Sequence, residues 1–93
     1  MTEQASWNQM SNVKVTIVYM GQAREVVKTK EEEVTLSSPA KVGHAIANVV
    51  STHPKLAELM ETIKLLTNGQ WTTVDSDLKN GDRLTLLPPV GGG

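Results

Sequence analysis

Residues 37–54, SSPAKVGHAIANVVSTHP, contain the element that decides the fold class. Ser37 and Ser38 offer the hydroxyl groups typical of a helix start, and Pro39 is tolerated in a first turn. The helix must end before Pro54, whose ring disfavours helical geometry in the preceding residue. Apolar side chains recur within these limits at i, i+3, i+4, i+7 and i+8, which predicts an amphipathic helix with one buried face. The stripe consists of Val42, Ala45, Ile46, Val49 and Val50.

The sequence before this helix predicts two strands. Apolar and polar residues alternate from residue 13, which is the period of a half-buried strand; Val18 breaks the alternation, and Gly21 ends the strand. Residues 23–27 fit either a short helical turn or the start of a second strand. Residues 28–33 are charged and fit a solvated loop or a strand edge. Because residues 34–36 return to the sheet, we expect a hairpin here.

The sequence after the helix predicts a short second helix and three strands. We expect the helix around residues 56–60. Strands at 63–67 and 71–74 are joined by the turn pair Asn68-Gly69, which accepts positive φ, and residues 83–87 form the final strand. One main helix packed on one face of a mixed sheet is an α+β pattern.

A single domain is expected, spanning residues 13–90. Residues 1–12 are polar and lack periodicity, so we interpret them as a disordered N-terminal extension or a remnant of cloning. Residues 91–93 are expected to form a flexible C-terminal tail.

Composition argues against several classes of function. The net charge of −1 gives no field that attracts nucleic acid or an anionic membrane. The absence of cysteine removes disulfides, thiolate metal sites and a nucleophilic thiol. No apolar run approaches the ~20 residues of a membrane span, so we expect a cytoplasmic protein. No phosphate-binding glycine loop or triad motif occurs, which predicts that the chain is not an enzyme and holds no cofactor.

The end of the chain, residues 87–93 (LPPVGGG), joins a stiff segment to one without side chains. Pro88 and Pro89 favour an extended stalk that leaves the fold. The terminal glycines bury nothing and suit a tail that enters a narrow slot in another protein. A glycine run can also be a frayed end or a cloning scar. These residues alone leave both interpretations open, the other being a terminal carboxylate that is presented to a partner.

Five short motifs in order across residues 13–93 resemble the MoaD/ThiS family of ubiquitin-like sulfur carriers and the related small archaeal modifier (SAMP) and ubiquitin-related modifier proteins. The motifs are Lys41-Val42-Gly43, His53-Pro54-Lys55-Leu56, Asn68-Gly69, Leu78-Lys79-Asn80-Gly81-Asp82 and Leu87-Pro88-Pro89-Val90-Gly91-Gly92-Gly93. In the last motif, Gly91 falls at the variable position of the family ending and Gly92-Gly93 at the functional pair.

The resemblance implies a β-grasp, ubiquitin-like fold whose last strand is central and parallel to the first. It also implies that a separate ATP-dependent enzyme of the MoeB or ubiquitin-activating type adenylates Gly93, with Gly92 helping the tail to fit the channel. The adenylate then receives sulfur and becomes a thiocarboxylate. The two prolines and the hydrophobic residue favour molybdopterin synthesis with a MoaE-like large subunit, while thiazole and tRNA acceptors stay open.

Two further functions remain open. In a SAMP-like modifier, the same adenylate passes to a lysine of a target protein and gives an isopeptide bond, and one protein can serve both roles. In a plain binding module, the glycines are incidental.

Partner binding is expected around the base of the tail. An apolar collar there offers the kind of anchor that dominates association energy. The alternative for Trp71 and Leu87 is that they complete the edge of the core. The residues expected to contact partners are Leu87, Pro88, Pro89, Val90, Gly91 and Trp71.

Metal binding is not predicted. His44 and His53 have no cysteine, histidine or carboxylate cluster at ligand spacing, and His53 fits a favourable position at the C-terminal end of the helix. The spacing of ligands in a calcium-binding loop is not matched by Asp75, Asp77 and Asp82. We interpret these aspartates as turn residues.

Overall fold

A five-stranded mixed sheet organises residues 12–89, the part of the chain that the computed structural model describes. In chain order the elements are β1 (Asn12–Tyr19), α1 (Gly21–Val27), β2 (Glu31–Ser37), β3 (Ala40–Lys41), α2 (Val42–Thr52), a 3₁₀ helix (Pro54–Glu58), β4 (Lys64–Thr67), β5 (Gln70–Trp71), β6 (Asp77–Leu78) and β7 (Arg83–Leu87). The large sheet has the order β2-β1-β7-β4-β5, and β3 and β6 form a separate two-stranded sheet. The α+β, ubiquitin-like β-grasp prediction is therefore confirmed.

The final strand lies in the middle of the large sheet. β7 pairs in parallel with β1 and antiparallel with β4, with Ile17 opposite Leu84 and Tyr19 opposite Leu86. All four of these side chains are fully buried. Alternation then places Thr85 on the opposite face of the sheet. The strand that leads to the C-terminus is thus fixed by both hydrogen bonding and core packing.

The main helix covers the buried face of the sheet, as its apolar stripe predicted. Val42, Ala45 and Val49 are buried, while Ile46 and Val50 are half-buried against the same core. The helix ends at Thr52, before Pro54. Within residues 12–89, no helix has the length and apolar character needed to cross a membrane.

The start of the main helix differs from the prediction. Helix α2 begins at Val42, and the serines at 37–38 are not its N-cap. Ala40 and Lys41 instead pair with Leu78 and Asp77 in the small sheet. The N-cap is Lys41, whose N–H donates to His44 Nδ1 at 3.0 Å. Pairing with a distant segment of the same chain therefore overrides the helix start that the local sequence favours.

The structure decides between the alternatives that the sequence left open for residues 23–27 and 28–33. The helical alternative is correct for residues 21–27, since α1 follows β1 directly. The strand-edge alternative holds for Glu31–Glu33, which form the beginning of β2. β1 and β2 pair antiparallel, as a hairpin would, but α1 lies in the connection between them.

The turn after β4 is tied to the loop before β7. Asn68 and Gly69 have φ values of 52° and 84°, as the turn prediction required. Asn68 Nδ2 donates to Asp82 Oδ1 at 2.9 Å, and Arg83 N–H donates to Asn68 Oδ1 at 2.9 Å. The partner strand β5 is shorter than the predicted 71–74. These bonds hold the two loops beside the central strand.

The domain limits were predicted for residues 13–90. Asn12 already belongs to β1, so the strand begins one residue earlier than expected. Residues 1–11 of the extension expected at 1–12 and the tail expected at 91–93 lie outside the described residues, as does Val90.

Candidate functional site

The base of the C-terminal segment is held by the fold. Met20 N–H donates to Leu86 O at 3.2 Å, just where β1 ends and the chain enters α1. Leu87 is half-buried, Pro88 is buried and Pro89 is exposed. The first part of the expected stalk is therefore packed against the domain, and the chain reaches solvent at Pro89. Of the other residues predicted for this site, Val90, Gly91, Gly92 and Gly93 fall outside the described range.

A row of side chains crosses the face of the sheet opposite α2. The register pairs Val18 with Thr85, Thr85 with Leu66, and Leu66 with Trp71. Val18, Thr85 and Leu66 are half-buried, whereas Trp71 is 70% exposed. We call Val18, Thr85, Leu66 and Trp71 the open-face row.

The exposure of Trp71 distinguishes the two interpretations of this residue. A tryptophan completing the edge of the core would have most of its ring excluded from water, and this one does not. Leu87 is half-buried and lies on the same face as Thr85, because the two are separated by one residue on β7. The structure thus brings Trp71 and Leu87 to one surface beside the exit of the chain.

Charged side chains border the open-face row. Arg83 Nη2 lies 2.9 Å from Glu31 Oε2, and Thr16 stands opposite Arg83 on one side and Glu33 on the other. Lys64 stands opposite Leu87 on the other side of the row. An apolar centre with a polar rim is the usual anatomy of a protein interface.

A hydrogen-bonded cluster ties three elements together behind this surface. Tyr19 Oη donates to Glu32 Oε1 at 2.6 Å, and His53 Nε2 lies 2.8 Å from the same oxygen. The Tyr19 and His53 rings meet edge to face with centroids 6.2 Å apart. Burial first, and then the hydrogen bond and the charge of Glu32, raise the pKa of Tyr19 well above its ordinary value. The cluster joins β1, β2 and the end of α2.

This cluster yields a prediction at alkaline pH. Tyr19 ionises near pH 10 once the chain is unfolded, but much later in the folded chain. Its stabilising contribution is therefore complete below pH 10 and declines above it, by up to ~1.4 kcal/mol per pH unit. Tyr19→Phe should remove that pH dependence and cost about 1 kcal/mol at neutral pH for the lost hydrogen bond. Urea unfolding of both proteins between pH 8 and about 11 measures the difference.

The absorbance of the same tyrosine provides the control. Tyr19 is the only tyrosine of the chain, so phenolate absorbance reports this one group. Phenolate formation near pH 10 in a chain that is still folded would contradict the prediction.

The histidines and aspartates considered for metal binding have other contacts. His44 accepts the Lys41 N–H, and His53 contacts Glu32. Asp77 Oδ1 lies 3.1 Å from Lys41 Nζ, and Asp82 accepts the Lys79 N–H at 2.8 Å. Among residues 12–89, no group of three potential ligands is close enough to hold a metal ion.

The sequence reasoning missed two features of the site. Val18 interrupts the strand alternation, and this irregularity was the available signal for an apolar residue on the open face. The Tyr19–Glu32–His53 cluster had no sequence signal, because its members come from separate elements. Trp71 and Leu87 were predicted from sequence to contact partners, and that role stays a prediction.

Comparisons with known proteins identify the family of this chain. The family model described as "ThiS family" matches residues 17–93. The molybdopterin synthase sulfur carrier subunit of Chlamydomonas reinhardtii is 26% identical over 83 residues, covering 87% of this chain and 100% of the relative. Small archaeal modifier protein 1 of Haloferax volcanii is 34% identical over 77 residues, covering 74% of this chain and 88% of the relative.

A solved structure confirms the fold independently. The crystal structure of small archaeal modifier protein 1 from Haloferax volcanii has a TM-score of 0.77, 26% identity, and coverage of 84% of this chain and 99% of that one. Since the family model spans most of the sequence and the β-grasp topology agrees, this chain belongs to the ThiS family.

Proposed function

We propose that this protein is a ubiquitin-like sulfur carrier whose reactive group is the Gly93 carboxylate. A carboxylate is a poor electrophile at neutral pH, so it must first be activated. A Gly93 oxygen attacks the α-phosphate of ATP and pyrophosphate leaves, giving an acyl-adenylate. Hydrosulfide, as sulfur at the sulfide level, then attacks the acyl carbon; its C–S bond replaces the C–O bond to AMP, AMP leaves, and a thiocarboxylate remains. The thiocarboxylate delivers its sulfur in molybdopterin synthesis.

The observation that carries this proposal is the position of β7. The strand that precedes the tail is central in the sheet, and its inward side chains Leu84 and Leu86 are fully buried. A tail that starts from the most constrained strand leaves the fold at a defined place. This arrangement suits a protein that offers its C-terminus to another protein's active site.

The chain itself supplies no activating machinery in this proposal. ATP, magnesium and donor sulfur belong to a separate MoeB-like or ubiquitin-activating-like enzyme, and a MoaE-like large subunit of molybdopterin synthase receives the charged carrier. The similarity to a protein named as a subunit of molybdopterin synthase supports the second partner. We place this chemistry in the cytoplasm.

The contact surface for these partners combines the tail and the open-face row. Trp71 provides a large exposed aromatic anchor, and Leu87 lies on the same face of the sheet near the chain exit. Burial of the Pro88 ring leaves Pro89 as the proline that faces solvent. We propose that Pro89, Val90 and Gly91 continue the contact from this surface towards Gly92 and Gly93.

The test of this function is the intact mass of the chain isolated gently from its own host. Replacement of one oxygen by sulfur, localised to Gly93 by fragmentation, is the expected result. The control is the chain isolated from a host that lacks the activating enzyme, which should carry an ordinary carboxylate. An ordinary carboxylate in both preparations, without covalent adducts, would overturn the proposal.

A second function is supported by the 34% identity with small archaeal modifier protein 1. In that role, the amine of a target lysine displaces AMP from the same adenylate and forms an isopeptide bond to Gly93. Adducts of higher mass, with a Gly-Gly remnant on lysines after digestion, would identify this modifier role. The two roles share the activation step and can coexist.

Trp71 gives a prediction about partner affinity. Trp71→Ala should weaken binding to the activating enzyme or the large subunit by about 2 kcal/mol, or roughly thirtyfold in Kd, because exposed aromatic anchors dominate interface energies. Isothermal titration with each partner measures the effect. Val74→Ala is the matched control, since Val74 is 50% exposed but lies beside the start of α2, where its carbonyl accepts the Gly43 N–H. Equal losses for both variants would contradict the assignment of the open-face row.

A further inference from the structure

The turn that follows β1 meets the base of the C-terminal segment. β1 pairs with β7 in parallel up to Tyr19 and Leu86. Continued by two residues, this register places Gly21 beside Pro88. A Cβ atom built on Gly21 would lie 4.0 Å from Pro88 Cδ, and Pro88 is buried. The proline ring is therefore seated against the first residue of α1.

Hydrogen bonds fix the position of this turn. Met20 N–H donates to Leu86 O at 3.2 Å, and Met20 O accepts the Ala23 N–H at 3.0 Å. Gly21 has a φ of +50°, a region that costs an L-residue with a side chain roughly 1–2 kcal/mol. The turn is thus bonded to β7 on one side and to α1 on the other.

Pro88 lies between this turn and Ile63, which the β4–β7 register continued by one residue places on its other side. As a proline, Pro88 is held by packing more than by hydrogen bonds. Its nitrogen carries no hydrogen, so it cannot extend the β7 ladder as a donor. β1 has already left the sheet at Tyr19, and its place beside β7 is taken by Met20 and Gly21. Contact with this turn therefore supports the ring from the β1 side, where the chain passes from strand to stalk.

We propose that Met20–Gly21 is a positioning element for the C-terminal segment. It seats the Pro88 ring and so sets the direction in which the chain leaves the fold towards the active site of the activating enzyme. The inference rests on the proposed function and deepens it, because it assigns the turn between β1 and α1 to the delivery of Gly93. Pro88 is the point where β7 passes into the segment that carries Gly93, so displacing its ring changes where that segment leaves the fold.

The test uses ATP–pyrophosphate exchange by the activating enzyme of the same host, with the full chain as substrate. Gly21→Val adds branches beyond the Cβ position and should push the Pro88 ring from its seat. We expect kcat to fall roughly tenfold to a hundredfold, because misplacing a reacting group by about 1 Å can cost this much. KM should change little, since the open-face row is intact.

Two glycine variants separate positioning from strain. Gly21→Ala places its Cβ at ordinary contact distance from Pro88, so it should lower the melting temperature and lose less kcat than Gly21→Val. Gly81→Val is the matched control, because Gly81 also has positive φ, +90°, but nothing lies within 4 Å of its Cβ position. It should lose stability without losing kcat. Circular dichroism at the assay temperature verifies that each variant is folded.

Pro88→Ala tests the same positioning role if Gly21→Val does not fold. It removes the ring without changing the turn, and the expected result is again a lower kcat with little change in KM. Wild-type kcat in folded Gly21→Val or Pro88→Ala, or an equal loss in Gly81→Val, would overturn the inference alone. A wild-type chain that supports no exchange would overturn the proposed function together with it.

Discussion

Deletion of Gly92 and Gly93 is expected to abolish activation of this protein while leaving its fold unchanged. The deletion removes the carboxylate that attacks ATP and ends the chain at Gly91, so any new terminal carboxylate stops short of the reacting position. A carboxylate that cannot reach the α-phosphate loses the rate advantage of holding the two reactants together. That advantage exceeds about 10⁵-fold in well-oriented systems. Pyrophosphate exchange and thiocarboxylate formation should both fall below detection.

The fold provides the reason that stability should be unaffected. All buried side chains of the described range lie between Val13 and Pro88, upstream of the deletion. The control is deletion of residues 1–11 at the other end, which should keep both stability and activation. Retained activation in the chain without Gly92 and Gly93 would contradict the carrier and the modifier roles alike, and would favour a plain binding module.

The fold was predictable where short-range patterns and core packing agree. The stripe from Val42 to Val50 predicted the main helix because its spacing matches a helical turn, and the stripe faces the core as expected. Alternation in Arg83–Leu87 predicted which side chains of β7 point inward. The central position of β7 came from the family resemblance, since periodicity alone does not order strands in a sheet.

Elements fixed by distant partners were not predictable. Ala40 and Lys41 form a strand only because Asp77 and Leu78 lie opposite them, and a two-residue strand carries no period of its own. The same pairing moved the helix start to Val42. His44 was weighed as a metal ligand, yet its ring accepts the Lys41 N–H at the helix start. Such roles depend on contacts that become visible only after folding.

The site was predictable in part for the same physical reason. Trp71 and Leu87 could be chosen from sequence because large apolar residues near a stalk are candidate anchors. Their common face required the register of β4, β5 and β7. The seat of Pro88 against Gly21 required the parallel pairing of the first and last strands, which sequence spacing does not encode.

Leu84→Ala is expected to be the most damaging single change to stability among the variants considered. Leu84 is fully buried in the central strand, opposite Ile17 on one side and Thr67 on the other. Loss of its side chain leaves a cavity between neighbours held by hydrogen bonds, and such changes cost about 3 kcal/mol. For a domain of this size, the melting temperature should fall by roughly 15 °C. Urea unfolding followed by circular dichroism gives the free energy.

Leu66→Ala on the opposite face of the same sheet is the matched control. Leu66 is half-buried in the open-face row, so its removal should cost only about 1 kcal/mol of stability. Leu66→Ala should weaken partner binding more than Leu84→Ala does, because Leu66 pairs with Trp71 while Leu84 faces the core. Below its melting temperature, Leu84→Ala should be activated normally. If Leu84→Ala impaired docking more than Leu66→Ala in folded protein, the division of the sheet into a stabilising face and a binding face would be wrong.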